Sequence, residues 1–161
     1  EGYAEDIVLR PTDVSNNPGL INQFGVVGVN SAIEVDIYGH ANSTHVQGSK
    51  AINGVGGSGD FNRNALVSVC ALPSTLKGGE ISRIVPMAFH VDHTEHDLDI
   101  IVTEQGVADL RGTSPVERAE EIIENCAHPS FKPALWEYFG AAKQQGGHIP
   151  HDLQRAVEWP E

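Results

Sequence analysis

Residues 53–61 read Asn53-Gly54-Val55-Gly56-Gly57-Ser58-Gly59-Asp60-Phe61, four glycines in six positions just ahead of a stretch, 60–67, able to start a helix. Glycine has no Cβ and tolerates positive φ, so a backbone built this way can approach a ligand closely. Free N–H groups near a helix N-terminus then point the same way, an arrangement suited to a phosphate or a developing oxyanion. The spacing is neither GxGxxG nor GxxxxGK[ST], so neither the dinucleotide fingerprint nor a P-loop is present. A tight structural turn uses the same residue type, and the glycines alone leave both readings open.

Strand and helix signals surround this run. A short strand is expected at residues 7–11, stopped by Pro11. Asn17-Pro18 marks a helix start, with Asn as cap and Pro in the first position. Leu20, Ile21 and Phe24 give that helix an apolar face, and Gly25 ends it. Residues 26–29 and 33–38 read as strands. In the second, Ile33, Val35 and Ile37 face one way and Glu34, Asp36 and Tyr38 the other, a period of two. Residues 39–42 read as a turn. Residues 66–72 form a further strand ended by Pro73, Gly78-Gly79 turns the chain into 81–86, and 90–97 is a polar loop. The run 98–104 is nearly all apolar until Glu104, as a strand covered on both faces would be. Ser114-Pro115-Val116-Glu117 opens a helix with a capping box and a first-turn proline. Its stripe is Val116, Ala119, Ile122, Ile123 and Cys126. A second helix carries Phe131, Leu135, Tyr138, Phe139 and Ala142 on one face and stops at Gly146-Gly147. The tail 148–161 has no clear period and reads as irregular or interfacial. Strands in the middle with helices before and after predict an α/β layered domain.

The 161 residues make one domain with room for a real core. Ten basic against 22 acidic residues give a net charge of −12, which argues against nucleic acid or an anionic membrane as partner. A small anion held by backbone amides and one or two cations stays compatible. Cys70 and Cys126 lie in apolar settings far apart in sequence. We read them as buried thiols in a reducing compartment, with a disulfide or a catalytic cysteine as the alternative. No apolar run reaches membrane-spanning length, and no signal peptide is visible. The chain opens on Glu1 instead of Met, and we take it as a piece of a longer polypeptide.

Several side chains invite chemistry. His90-Val91-Asp92-His93-Thr94-Glu95-His96-Asp97 holds three histidines and three carboxylates in eight residues. Such density can bind a metal. In a loop, however, the spacing does not guarantee a shared face, and no second ligand set is evident, so we read a hydrogen-bonding loop and no metal site. Glu34 and Asp36 read as charges on a solvated sheet face. Glu104, at the end of a strand, is either such a charge or a functional carboxylate. Asn16, ahead of a helix start, reads as an Asx-turn or cap. Lys77, before Gly78-Gly79, is either solvated or paired with a phosphate.

Taken in order, these segments resemble a known family. Ser15-Asn16-Asn17-Pro18, residues 30–39, the glycine run 54–61, Ser82-Arg83-Ile84-Val85-Pro86, residues 101–112 and Cys126-Ala127-His128-Pro129 resemble the C-terminal domain of acetyl-CoA hydrolases and class I CoA-transferases. The resemblance covers about residues 7–140. The 90–97 segment is most similar to the succinyl-CoA:acetate (or propionate) branch. It implies an α/β layered fold of the CoA-transferase type, with a central, mainly parallel sheet flanked by helices. It also implies a ping-pong route. A glutamate attacks the thioester to give an acyl-glutamyl anhydride, CoA thiolate then forms a glutamyl-CoA thioester, and the acceptor acid reverses these steps. Coenzyme A or acyl-CoA is then a substrate, with no permanently bound cofactor and no metal. The nucleophilic glutamate precedes residues 15–18 by several tens of positions, in an N-terminal domain outside this chain, and Glu34 is not its counterpart. The isolated chain is therefore expected to be inactive. Asn16 resembles the amide holding the oxygen of the glutamyl intermediate, Gly57 the backbone donor at the acyl oxyanion, and Glu104 the second active-site glutamate. Ile33, Asn53, Gly54, Gly56, Gly57 and Lys77 resemble CoA contacts, Lys77 meeting a phosphate. A homodimer is expected, and the acidic charge fits a cytoplasmic enzyme, with the mitochondrion as the alternative for eukaryotic relatives. A hydrolase and a non-catalytic CoA-binding module are the alternative readings.

Overall fold

The computed structural model describes residues 6–159. In chain order its elements are α1 (Thr12–Ser15), α2 (Pro18–Phe24), β1 (Val27–Asn30), β2 (Glu34–Asp36), β3 (Ala41–Asn42), β4 (His45–Val46), β5 (Lys50–Ala51), α3 (Ser58–Asn64), β6 (Val67–Ala71), β7 (Thr75–Leu76), β8 (Ile81–Ser82), β9 (Ile84–Val85), β10 (Ile100–Thr103), β11 (Gly106–Asp109), α4 (Pro115–Cys126), α5 (Lys132–Gln145) and α6 (Leu153–Val157). The main sheet has the order β1-β6-β10-β11. Its first three strands run parallel and β11 returns antiparallel to β10. A smaller sheet, β3-β2-β9, stands beside it. Helices pack on the main sheet: α3 on β1 and β6, α4 on β10 and β11, and α5 on α4. This is the α/β layered, mainly parallel architecture expected from the sequence.

The local signals explain the ends of the elements. Asn17 Oδ1 accepts from the Leu20 N–H at 3.1 Å, Pro18 occupies the first turn, and Gly25 closes α2 in the left-handed region at φ +61°. Ser114 and Glu117 form the reciprocal capping box of α4, whose stripe of Ala119, Ile122, Ile123 and Cys126 is fully buried. Leu135, Tyr138, Phe139 and Ala142 bury the facing side of α5. Close packing here depends on Gly106, because a Cβ at that position would sit 2.7 Å from the Asn125 carbonyl oxygen on α4. Both cysteines are buried free thiols, and burial pushes Cys70 up to about 12 and Cys126 up to about 11.

Five expectations need correction. Residues 7–11 form no strand, and Ile7, Val8 and Leu9 are exposed. The turn at 39–42 is shorter than expected, because Ala41 and Asn42 pair with β2 as β3. The tail is not wholly irregular. Asp152 caps α6 through the Arg155 N–H, and Tyr138 Oη lies 2.8 Å from His151 Nδ1. Asp36 does not face solvent: it is 1 % exposed, and Tyr38 beyond it is fully buried. The strand ends at Asp36, so the period of two stops there.

The fifth correction concerns the main sheet. Gly28, Ser68, Cys70, Ile101 and Ala108 share the covered face. On the other face the register sets Val27 beside Val67, Val29 beside Val69, Val69 beside Ile100 and Val102 beside Val107. Val27, Val29 and Val107 are 59 %, 65 % and 55 % exposed, and Val67, Val69, Ile100 and Val102 are half-buried. The described residues therefore cover β10 on one face only. The continuous apolar composition that suggested two covers is real, and the second cover is not supplied by these residues.

The contact under Gly106 is a direct test of the packing. Gly106→Ala should lower stability by roughly 1–3 kcal/mol, the range for overpacking a dense core. A shift of the urea midpoint at unchanged slope would report it, and an unshifted midpoint would mean that α4 can move away freely.

Candidate functional site around the glycine loop

The C-terminal ends of the parallel strands carry the candidate residues. After α3 the Leu66 N–H bonds the Val26 carbonyl just before β1, and Gly28 packs beneath Phe61 and Ala65. Helix α3 therefore runs against β1, with its N-terminus projecting past the strand's end. Asn30, the last residue of β1, donates from Nδ2 to Asn62 Oδ1 at 2.7 Å and ties the helix there. The glycine loop thus sits beyond the carboxyl edge of the sheet, where α/β proteins gather their ligand-binding loops.

Asn16 and Gly57 meet at this point. Asn16 Nδ2 lies directly in the path that a Gly57 Cβ would take, well inside van der Waals contact. The same nitrogen donates to Asp60 Oδ2 at 3.4 Å, and Asn16 Oδ1 accepts from the Ser15 hydroxyl at 2.9 Å. The N-cap of α2 falls to Asn17, and Asn16 closes α1 through its backbone N–H, so the Asn16 side chain caps neither helix. Gly56 adopts φ +58°, a conformation that favours glycine. Cβ positions on Gly54 and Gly56 would meet nothing within 4 Å, so this part of the loop faces open space.

Glu104 leaves the sheet at the end of β10, two strand spacings, about 10 Å, from the end of β1. Its carboxylate accepts from the Ser74 N–H at 2.8 Å, from the Ser74 hydroxyl, and from Gln105 Nε2 at 3.0 Å. The little burial it has would raise its pKa. The hydrogen bonds from Ser74 and Gln105 outweigh that and hold the group at about 2. Glu104 is therefore ionised at neutral pH and aimed by Ser74. It shares a sheet edge with Asn16 and Gly57 without touching either.

Ile33 and Lys77 come together in a cavity of about 350 Å³ between β2 and the β7–β8 hairpin, whose wall also includes Glu34, Val46, Lys50, Leu76 and Arg83. Three of the ten basic residues of this acidic chain, Lys50, Lys77 and Arg83, line it. Arg83 is committed to the walls, with Nε donating to the Ile33 carbonyl at 2.6 Å and a terminal nitrogen to the Ala32 carbonyl. The two non-glycine residues with positive φ among those described, Gln47 at +51° and Lys77 at +49°, both line this cavity. Each precedes a glycine that is itself left-handed, Gly48 and Gly78. Backbone strain of this kind concentrates at ligand sites. Asn53 lies outside the cavity wall, its Nδ2 donating to the Ser43 carbonyl at 3.5 Å. Sequence reasoning passed over Gln47, Lys50 and Ser74; the Gln-Gly and Lys-Gly pairs were the available signal.

The remaining charged candidates are built into the fold. Glu34 Oε1 accepts from Asn42 Nδ2 at 2.9 Å. Asp36 accepts from the Tyr38, His40 and Ala88 N–H groups at 2.9, 3.0 and 3.3 Å. His40 Nδ1 and Nε2 face Asp36 and Glu95 at 2.9 and 2.8 Å. Burial alone would lower the His40 pKa, but these two carboxylates raise it. The 90–97 loop is a hydrogen-bonding element. Asp92 accepts from the Ser43 N–H and the Thr44 hydroxyl, Asp97 from the Thr94 N–H, and His93 meets Ser58. Among the described residues no group of three or more His, Cys, Asp or Glu is gathered to hold a metal ion, and no helix is long and apolar enough to cross a membrane.

The depressed Glu104 titration can be read directly. Ser74→Ala should raise its pKa toward the ordinary carboxylate value, followed by the side-chain carbonyl shift in an NMR titration. A folded pKa below the unfolded one contributes stability above about 4.5 that is lost as pH falls toward about 2. The variant should therefore be less stable above about 4.5, and its stability should fall less than the parent's as pH drops from there toward about 2. An unmoved titration would mean that Ser74 does not set the charge.

Residues 3–139 match the family model of the acetyl-CoA hydrolase/transferase C-terminal domain. The chain is 59 % identical over 158 residues to a succinyl-CoA:acetate CoA-transferase of Clostridium kluyveri, covering 98 % of this chain and 29 % of that protein. It is 53 % identical over 165 residues to an acetyl-CoA hydrolase of Schizosaccharomyces pombe, covering 97 % and 32 %. Among solved structures it is similar to RipA from Yersinia pestis, with TM-score 0.74, 38 % identity and 84 % and 31 % of the two chains covered. It is also similar to a 4-hydroxybutyrate CoA-transferase from Porphyromonas gingivalis, with TM-score 0.64, 36 % identity and 82 % and 31 % covered. The chain thus spans about a third of the length of the curated relatives it matches. With the match to the family model running through the glycine loop, Glu104 and α4 into α5, the chain belongs to the acetyl-CoA hydrolase/transferase C-terminal-domain family.

Proposed function

We propose that this chain is the C-terminal part of an enzyme that moves CoA from an acyl-CoA, succinyl-CoA by the nearer resemblance, to a small carboxylate such as acetate. The observation that carries the reading is the seating of the Asn16 amide against Gly57 at the open N-terminus of α3. In this reading the side-chain amide of Asn16 and the main-chain N–H of Gly57 serve one location. Donors fixed toward developing negative charge stabilise an acyl-transfer transition state, each worth about 2.7–4 kcal/mol in comparable sites.

In this reading a glutamate from the N-terminal domain of the same polypeptide attacks the thioester. The acyl C–S bond breaks, CoA leaves as thiolate, and an acyl-glutamyl anhydride remains. The thiolate then attacks the glutamyl carbonyl, expelling the free acid and leaving a glutamyl-CoA thioester. Gly57 N–H stabilises the acyl oxyanion and the Asn16 amide the glutamyl one. Glu104, ionised and held by Ser74, orients the nucleophile or the acceptor carboxylate. The apolar wall of the Ile33–Lys77 cavity suits the pantetheine arm, and Lys50 and Lys77 suit phosphates. Gly54 and Gly56 let the arm pass close to the loop, with Asn53 at its entrance. Coenzyme A comes and goes as substrate and needs no resident cofactor.

The uncovered apolar face along Val27, Val29 and Val107 supports a further part of the polypeptide lying on this domain, as does the greater length of the relatives. Assembly as a homodimer belongs to the same proposal. Two buried free thiols are in keeping with a reducing compartment, the cytoplasm or, in a eukaryote, the mitochondrion.

The test is to incubate the full-length polypeptide with succinyl-CoA, with and without acetate, and follow acetyl-CoA and free CoA by mass. Acetyl-CoA forming only with acetate is the expected result. Free CoA released at the same rate without acetate would replace transfer by hydrolysis, and no product in either tube would overturn the catalytic reading. Residues 1–161 alone should give no turnover. Gly57→Val should displace Asn16 and lower kcat by roughly 10²–10³-fold, while unchanged turnover would remove Gly57 from the oxyanion role.

A further inference from the structure

His93 lies beneath the glycine loop and has no part in the scheme above. It is 2 % exposed. Its main chain is tied to β3 on both sides, with the His93 N–H reaching the Ala41 carbonyl at 3.1 Å and the Ala41 N–H reaching the His93 carbonyl at 2.8 Å. Its Nε2 lies 2.9 Å from the hydroxyl oxygen of Ser58, the first residue of α3, and that oxygen lies 2.8 Å from the Val55 carbonyl.

The hydrogens in this chain of contacts follow from donor inventory. A hydroxyl has one hydrogen, and a carbonyl can only accept, so Ser58 donates to Val55 and must accept from His93. Nε2 therefore carries a hydrogen. The other ring nitrogen, Nδ1, is buried with no hydrogen-bond partner among the described residues, and burial lowers the pKa of the ring. His93 is thus a neutral imidazole in the Nε2–H tautomer. An unpaired buried nitrogen is costly, so this is not a site that packing alone would fill with histidine.

The consequence reaches the loop. A trans peptide is planar, with its C=O and N–H pointing in opposite directions. Drawing the Val55 carbonyl in toward Ser58 turns the Gly56 N–H, on the same peptide unit, outward to the open side. It also fixes the residue that follows Gly57. We propose that His93 is a positioning residue. Through Ser58 it locks the Val55–Gly56–Gly57 backbone in the orientation that presents its N–H groups to substrate and keeps Gly57 against Asn16. The inference rests on the oxyanion reading of the loop.

The test uses the full-length polypeptide with His93→Leu, His93→Gln, Ser58→Ala and the His93→Leu/Ser58→Ala double variant. The Gln side chain keeps an N–H donor near the Nε2 position, and Leu does not. His93→Leu should lower kcat between about 10- and 100-fold, the scale of a small misplacement of reacting groups, with KM for acyl-CoA changed far less. His93→Gln should recover most of the loss, and Ser58→Ala should add little in the His93→Leu background. Amide hydrogen exchange across residues 55–59 should accelerate in His93→Leu and Ser58→Ala and return in His93→Gln. Unchanged exchange in His93→Leu, or equal kinetic losses for Leu and Gln, would overturn the positioning role. A wild-type polypeptide with no acyl-CoA activity would overturn the functional reading instead, and the exchange experiment would still decide whether His93 holds the loop.

Discussion

A single buried carboxylate organises the chain between the two sheets. Asp36 is taken out of water at the end of β2, and a buried charge is tolerated only when hydrogen bonds replace its hydration. It accepts three backbone N–H groups and faces the His40 ring. Those contacts close the turn at Gly39 and send the chain back as β3. Ala41 of β3 then holds His93 at both backbone atoms, and His93 holds Ser58 at the head of the glycine loop. The loop is therefore positioned from inside the small sheet, through contacts far apart in sequence. Local turn preference alone would leave a glycine-rich segment free to sample many conformations.

The main sheet solves a different problem. Its covered face is sealed by α3 and α4, with α5 packed on α4, and the close approach at Gly106 lets α4 settle onto β11. Its other face is a ladder of valines and isoleucine left half open. An apolar face of that extent is a place for further protein to cover. The candidate site lies between these two faces, at the carboxyl ends of β1, β6 and β10. Asn16 with Gly57 and Glu104 with Ser74 are set there at the spacing of the strands. The charged cavity beside them is assembled from β2, β4, β5 and the β7–β8 hairpin, none of which belongs to the main sheet.

Much of the fold was legible because it is governed by neighbours in sequence. The caps at Asn17 and Ser114, the stop at Gly25, and the stripes of α4 and α5 follow from one turn of backbone and one apolar face. The strands at residues 27–30 and 67–71 were legible for the same reason. Residues 7–11 misled because apolar, β-prone side chains make a strand only when an edge accepts their hydrogen bonds. Asp36 misled because alternation assigns a face, whereas burial depends on what the next segment places over it. Helix α6 was hidden because its five residues have too little length to show a period; Asp152 as cap and the contact of Tyr138 with His151 hold it in place.

The sequence by itself determined the layered α/β class, the caps and apolar stripes of the longer helices and, through its separate motifs, the family. It also picked out Asn16, Gly57, Glu104, Ile33 and Lys77. Those features depend on short-range stereochemistry or on residue identity. Only the tertiary structure decided which of these residues meet. It brought Asn16 to Gly57 and Ile33 to Lys77, held Glu104 apart on Ser74, and seated His93 behind the loop. Each of those contacts joins positions some 30 to 50 residues apart, and which partners come together was set by how the sheets and helices exclude water, not by spacing along the chain.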